Sequence, residues 1–528
     1  MSPAARAADR SPWAPLRRPV FRSIMVADTI SFMGTWVHQV AAAWLMTELA
    51  PSPLMVALVQ AATGLSMFLV ILPAGVLADV LDRRRVLLGA EVWMLAVAGV
   101  LGVLTLGGWT TPWVLLGLTL LLGFGDALAE PAWTAVIPEL VPREELPAAI
   151  VLGGLGVNIA QAVGPALGGV IVAGAGAGAA FLLNAVSFLG LVVVVARWRR
   201  PHEASELPAE RLASAMRTGM RYVRHTPQMV SVLVRLGLFI VAGSALWALL
   251  PLIARTRMGL SAAGYGLVVT CFGAGAVGAA VARRRLRVHL SVDLLVTAST
   301  GLYAAALAGL GLASRLPVFL AAAAVAGAAW LLLLSTYNTA AQTVLPSWVR
   351  ARGMSVYVLV FFAGMTVGSV LWGAVAEHAG LTAAMVAAGV ATAAGAALRA
   401  RFRIEETEEL DLSPTRHWPA PVVAVPIGPE EGPVLVSVEY DVLAGRERAF
   451  ERAMADVGRR RRRSGAFFWD LFRDPSRAGG YLEVFLVESW AEHLRQHGRV
   501  TGLDREAEAR AYACLREEGG PRMRHHLA

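Results

Sequence analysis

Arginine falls almost entirely in alternate gaps between long apolar stretches, and this pattern decides what the chain can fold into. Twelve apolar runs begin near Ile24, Leu54, Val86, Trp113, Leu146, Ala179, Val230, Gly264, Val292, Pro317, Ser355 and Leu381. Each is long enough to cross a bilayer, which takes about 20 residues at helical rise. The amino-terminal tail and every second gap hold 25 Arg, including Arg83 to Arg85 and Arg283 to Arg287, whereas the other gaps hold three: Arg255, Arg257 and Arg315. Basic residues near span ends stay on the cytoplasmic side. The pattern therefore requires a plasma-membrane protein with twelve crossings and both termini in the cytoplasm.

Composition supports a lipid-facing core: of 528 residues 56% are hydrophobic and 16% charged, against about a quarter charged in soluble domains. The net charge of +9 is carried by Arg alone and spread over loops that anionic lipid headgroups attract, so membrane lipids are expected partners and nucleic acid is not. Cys271 in the eighth span and Cys514 near the end are far apart in sequence, and no disulfide is expected. The first apolar run is too long for a cleaved signal peptide and is read as the first span.

The polar gap at 198–229 divides the spans six and six, and Pro208 to Arg224 has the composition of an amphipathic helix on the inner membrane surface. This gives a cytoplasmic tail at 1–22, an N-terminal bundle at 23–197, a C-terminal bundle at 230–403 and a linker at 404–433. The interval of Gly164 and Gly169 in the fifth span recurs as Gly368 and Gly373 in the eleventh, as expected of parallel six-span repeats around a central site. Residues 434–528 alternate as strand, helix, strand, strand, helix, with a final strand near Met523 to Leu527, the order of a ferredoxin-like unit. The fold expected is thus an all-α twelve-span membrane protein of two six-helix halves with a small α+β ferredoxin-like cytoplasmic domain.

Charged residues inside a span cost a few kcal/mol unless they face protein or water. Asp28, Asp126, Glu130 and Arg235 sit deepest, while Glu91 and Asp293 lie closer to span ends. Asp126 and Glu130 are four apart on one helix face. Two carboxylates so placed in a low-dielectric cavity repel when both are ionised, so they suit a proton carrier and, with Asp28, are the proton-coupling candidates. Asn158, Gln161, Asn184 and Asn338, together with Arg235, are the substrate-cavity candidates, interhelical hydrogen bonding being the alternative role for each Asn. Arg235 is also a candidate to pair with Asp28. His493 and His497 stand at i, i+4 spacing with no third ligand visible in sequence, so neither a metal nor a cofactor is expected.

Gly75, Asp79, Asp82, Arg83 and Arg84, between the second and third spans, resemble the loop signature of the major facilitator superfamily, which implies a cytoplasmic gate that makes and breaks as the halves rock. Val80 and Asp82 depart from the residues usual there. Gly164, Pro165, Gly168 and Gly169 resemble the helix-packing motif of exporters in that superfamily. From the first span to Arg403, with Gly123-Phe-Gly-Asp126 and Pro138-Glu-Leu-Val-Pro-Arg143, the chain is similar to the enterobactin-exporter-like branch, the transmembrane secretion effectors. Residues 436–497 look like the extra domain of some members, itself similar to small dimeric monooxygenases, which implies a surface for dimerisation. The Arg of drug antiporters is absent from the fourth span, with Thr119 near its place. The resemblance implies a secondary transporter exporting a small organic molecule such as a siderophore or antibiotic in exchange for protons. The alternatives are an importer on the same fold, or a membrane-tethered oxidoreductase or sensor acting through the terminal domain.

Overall fold

The computed structural model describes residues 11–198, 212–404 and 413–528, the last with short gaps between 413 and 425 and at 517–520. It has two compact units, Met1–Glu206 with Val234–Thr336 and Val358–Arg401, and Leu207–Leu233 with Tyr337–Tyr357 and Phe402–Ala528.

Ten helices among the described residues are long and apolar enough to cross a membrane. One of these, Leu146–Arg197, is two helices joined at Gly176, whose φ of 81° breaks the ladder in a run of alternating Ala and Gly. A left-handed turn there suits Gly, which has no Cβ to clash. Counting its halves as spans 5 and 6, and Pro19–Leu49 as span 1, gives twelve. The others are span 2 (Pro53–Val80), span 3 (Arg83–Leu106), span 4 (Pro112–Leu140), span 7 (Pro227–Thr256) and span 8 (Ala262–His289). Span 9 (Val292–Leu312), span 10 (Leu316–Val344), span 11 (Ser347–Ala379) and span 12 (Leu381–Ala396) complete the set. Helices are forced here because lipid offers backbone amides no partner. Thr111, Ser261 and Ser291 start spans 4, 8 and 9 by accepting from the amide three residues on, which satisfies a donor the helix itself leaves open.

Packing in the first unit depends on small residues. Spans 3, 4 and 6 meet through Leu87, Ala90, Ala98, Leu122, Ala132, Val136 and Phe188. A Cβ on Gly164 would come within 2.6 Å of Trp36 Cβ in span 1, and one on Gly168 within 3.0 Å of Val37 Cα. The repeat seen in sequence places matching glycines at matching interfaces. Gly169 of span 5 lies against Gly266 of span 8, where an added Cβ would be 3.0 Å from the Gly266 Cα, and Gly373 of span 11 lies against Leu54 and Ala57 of span 2. Gly164 faces span 1 just as Gly368 faces Val241 in span 7. Without a hydrophobic drive between helices in lipid, such close approach supplies the van der Waals attraction that holds them.

The second unit contains helix α1 (Leu212–Arg224), the near ends of spans 7, 10 and 11, and an α+β domain. The expected amphipathic helix is α1; its upstream part, from Pro208, falls outside the described residues. Tyr222 of α1 is buried with its ring edge-on to Trp348, and Arg221 pairs with Glu488 at 2.6 Å.

The α+β domain runs β1 (Val434–Asp441), α2 (Glu447–Ser464), β2 (Phe468–Arg473), β3 (Gly480–Val487), α3 (Trp490–Arg499), α4 (Gly502–Tyr512) and β4 (Arg522–Leu527). Its sheet is antiparallel in the order β2-β3-β1-β4, with Val436 opposite Phe485 and His525. The one helix expected from the sequence between the third and final strands is two. Thr501 and Asp504 form a reciprocal capping box that starts a new helix after Val500. The linker is partly pinned to the domain: Thr415 N donates to Val500 O at 2.9 Å, and the Trp418 indole donates to Glu508 at 3.0 Å.

Candidate functional site

Between the two halves of the first unit lies a cavity walled by spans 1, 2, 3, 4, 6, 7 and 8. Its aromatic surface is Trp36, Phe188, Trp247 and Tyr265, and its polar surface is Thr35, His38, Gln39, Gln60, Thr63, Thr119 and Asp126. Trp36 and Trp247, one from each half, stand 6.3 Å apart between ring centres. The Gly123-Phe-Gly-Asp126 sequence brings Asp126 to this wall. Gly123 faces Ser66 of span 2 and Gly125 faces Met94 of span 3, so span 4 approaches both closely. The Trp93 indole, donating to Leu121 O at 2.7 Å, fixes the register of spans 3 and 4.

Asp126 belongs to a group of four carboxylates. Its charge is felt by Glu91 of span 3, Glu91 also feels Asp28 of span 1, and Glu130 acts on both Asp28 and Asp126. Glu91 is 2% exposed and accepts from the Trp133 indole, while one of its oxygens is buried without a partner. None of the four is in an ion pair among the described residues. The structure thus brings Asp28, Asp126 and Glu130 together and adds Glu91, which its place nearer a span end had masked.

The other expected cavity residues lie outside this lining. Arg235 pairs with Asp293, not Asp28, both being buried, and Thr297 stands 3.4 Å from its guanidinium. The reason is proximity: spans 7 and 9 set these opposite charges against each other in a low-dielectric interior. We predict that Arg235→Met costs about 3 kcal/mol, the lower end of the range because Arg399 lies 3.6 Å from Asp293. Thermal melting checks this: the single variant melts lower, and Arg235→Met with Asp293→Leu recovers most of the loss. Asn184 is fully buried, accepts from Ser187 at 3.2 Å and abuts Gly34, so it packs spans 1 and 6. Asn158 donates to Gly154 O at 2.7 Å within its own helix, Gln161 flanks Gly273, and Asn338, in the second unit, accepts from Gln342 at 2.6 Å.

Of the expected gate residues, Gly75 and Asp79 lie in the last turns of span 2, and their side chains fall outside the described residues. Asp82 caps span 3, accepting from Arg85 N at 3.0 Å. Arg83 pairs with Glu139 at 2.8 Å, and Arg84 donates to Val195 O at 3.2 Å and to Ala196 O. At the opposite, Arg-poor ends the halves meet directly. Ser52 Oγ and Leu54 N donate to Glu377 at 2.8 and 3.3 Å, and Arg255 donates to Thr47 Oγ1 at 2.9 Å.

In the terminal domain a buried polar network is set into the apolar core formed by residues such as Val436, Phe450, Met454 and Phe485. Arg461 donates to Glu483 at 3.0 Å and Glu508 at 2.6 Å, Tyr440 donates to Glu483 at 2.6 Å, and Trp418 covers the guanidinium at 4.4 Å. His493 and His497 are joined by a third imidazole, His525 of β4, whose ring centre is 4.8 Å from that of His493. Among the described residues no three His, Cys, Asp or Glu are arranged to hold a metal. Burial, then the neighbouring His525 and His497, push His493 down to about 3, and burial lowers His497 and His525 also. The unfolded chain therefore takes up protons below pH 6.5 that the folded domain refuses, and stability falls as pH drops from 6.5 toward 3. We predict a loss of about 2 kcal/mol from His493 alone between pH 7 and pH 5. Amide exchange of α3 and β4 in the full-length protein reads this, and unchanged protection at pH 5 contradicts it.

The family model of the transmembrane secretion effectors matches residues 10–528. The multidrug efflux pump Tap of Mycobacterium tuberculosis is 28% identical over 427 residues, 77% of this chain and 98% of that one. The enterobactin exporter EntS of Salmonella typhimurium is 26% identical over 371 residues, 67% of this chain and 85% of that one. A bacterial homologue of the human lysosomal transporter Spinster, inward-facing and occupied, superposes with a TM-score of 0.61 at 16% identity, covering 74% of this chain and 97% of that one. Twelve spans in two six-helix halves, small-residue contacts repeated between those halves and a polar central cavity are the architecture of this group. With a model match over nearly its whole length, the chain belongs to the transmembrane secretion effector family of major facilitator transporters.

Proposed function

We propose that the protein exports a small organic molecule in exchange for protons, by alternating access of the central cavity, with both termini in the cytoplasm. The observation that carries this reading is the carboxylate group of Asp28, Glu91, Asp126 and Glu130, which reaches the cavity wall at Asp126 and has no ion-pair partner among the described residues. Intramembrane carboxylates of this kind mark proton relays. Asp126 joins the two parts of the cycle: it lines the substrate cavity and couples directly to Glu91 and Glu130, which in turn couple to Asp28. Substrate entering from the cell displaces a proton from this group, and protonation from outside resets it.

The Arg pattern supports the orientation. In that orientation the contacts of Ser52, Leu54 and Glu377 close the outer end, which corresponds to an inward-facing state. Export by relatives named as an efflux pump and an exporter supports the direction. The test is uptake into inverted membrane vesicles under an imposed pH gradient, interior acid. Accumulation of a substrate dye that collapses when nigericin removes the gradient is the expected result. Accumulation that survives nigericin, or that requires the reverse gradient, would exclude proton-driven export.

A further inference from the structure

The cavity lining has an unequal distribution of charge. Asp126 is its one acidic residue, the carboxylates Glu91 and Glu130 lie in electrostatic reach of it, and no Arg is among the lining residues; the chain has no Lys. Arg255, at the Arg-poor end of span 7, lies outside the lining. Its guanidinium lies over the Trp44 ring at 5.7 Å, which in turn stacks on Tyr265, and it donates to Thr47. Arg235 is neutralised by Asp293 and lies outside the lining.

A second, independent observation points to a ligand. His38 is 2% exposed and borders the cavity, yet both ring nitrogens are buried without a hydrogen-bond partner, and the hydroxyl of Thr119 on the facing wall is likewise unpartnered. His38 is held in place through its ring face, 4.6 Å from Phe181. Buried polar groups left unpaired are costly and are ordinarily satisfied. Both residues line one cavity, so side-chain adjustment on binding gives a bound molecule hydrogen-bonding positions that the protein itself does not fill.

We propose that the cavity selects a flat organic cation and discriminates against anions such as catecholates. Its charge would lie toward Asp126, its ring plane against the adjoining Trp36 and Trp247 rings, and its hydrogen-bonding groups toward His38 and Thr119. Aromatic faces attract cations through the ring quadrupole, most strongly where water is excluded. An anion of the same shape would meet Asp126 with no cation in the lining to offset it, and like-charge juxtaposition is the effective means of rejecting a wrong ligand. This inference rests on the reading of the cavity as the transport site.

The test is binding, measured by fluorescence anisotropy with the full-length protein in nanodiscs. The probes are rhodamine 6G and fluorescein, which share a tricyclic ring frame and differ in charge. Rhodamine 6G is expected to bind at least about 10-fold more tightly than fluorescein. Asp126→Asn is expected to reduce that preference by about 5-fold or more, and His38→Phe, which keeps the ring against Phe181, to weaken rhodamine 6G about 3-fold. Fluorescein binding as tightly as rhodamine 6G in the unaltered protein would overturn the proposal, whatever the variants do. So would a preference unchanged in an Asp126→Asn protein of normal melting temperature. Rhodamine 6G binding without proton-driven flux would instead refute export and leave the cavity's selectivity in place.

Discussion

Asp126→Asn is expected to cut pH-gradient-driven transport by at least about 100-fold, the range in which proton-transfer groups act, while leaving exchange of internal for external substrate measurable. Asp126 stands where the cavity wall and the carboxylate group meet, so its loss disconnects substrate from proton without closing the route for substrate. Asn keeps the shape and hydrogen-bonding capacity of the side chain. The loss is therefore one of titration and not of packing. Glu130→Gln is expected to act in the same direction with a smaller effect, because Glu130 is outside the lining and couples to the cavity through Asp126. Parallel loss of driven transport and of exchange in a stably folded Asp126→Asn protein would show that the carboxylate holds the substrate without coupling it.

The second large effect is steric. Gly169→Leu places a branched side chain where spans 5 and 8 touch backbone to backbone. A single Cβ there would lie 2.7 Å from Ala262 O and 3.0 Å from the Gly266 Cα. No flexible side chain can yield at this point, so the halves separate or the variant fails to close. Overpacking a close contact costs about 1–3 kcal/mol, and the closed outer end depends on this contact. We expect transport to fall by about 100-fold or more, with cross-linking between engineered Cys residues at 52 and 377 diminished in parallel, since 1.4 kcal/mol is already a factor of ten in population. Gly373→Leu, at the matching interface of spans 11 and 2, is expected to behave alike. Normal transport by Gly169→Leu would mean that this contact does not form in the cycle.

Much of this was legible in the chain because membranes impose strict rules. The alternation of Arg with apolar runs fixes the number of crossings. Pro19–Leu49 is outside the ten strongly apolar helices because polar residues interrupt it, and two of them, His38 and Gln39, line the cavity. The β1 and β3 strands were visible as alternation that matches their observed burial. The split of α3 from α4 was missed because a helical composition on both sides hid the Thr501 and Asp504 cap between them.

The cavity was harder to read. Asn residues attracted attention as rare polar groups in spans, but a short amide finds partners within one turn of its own helix, as Asn158 does with Gly154 O and the Asn184 oxygen does with Ser187. The lining came instead from His38, Gln39 and Gln60, whose intramembrane position was an available and unused signal. Arg235 and Glu91 show the remaining limit: spacing along one helix says nothing about which neighbour it meets. The partners Asp293 and Asp126 come from other spans and are assigned by packing alone.

The central claim, that substrate and protons exchange through the group around Asp126, is tested most directly by proton movement in proteoliposomes carrying a pH-sensitive dye inside. With the interior made acid, addition of rhodamine 6G outside is expected to release internal protons faster than in empty liposomes, saturably, and not in liposomes carrying Asp126→Asn. Dye uptake without proton release, or equal release by the Asp126→Asn protein, would contradict the account.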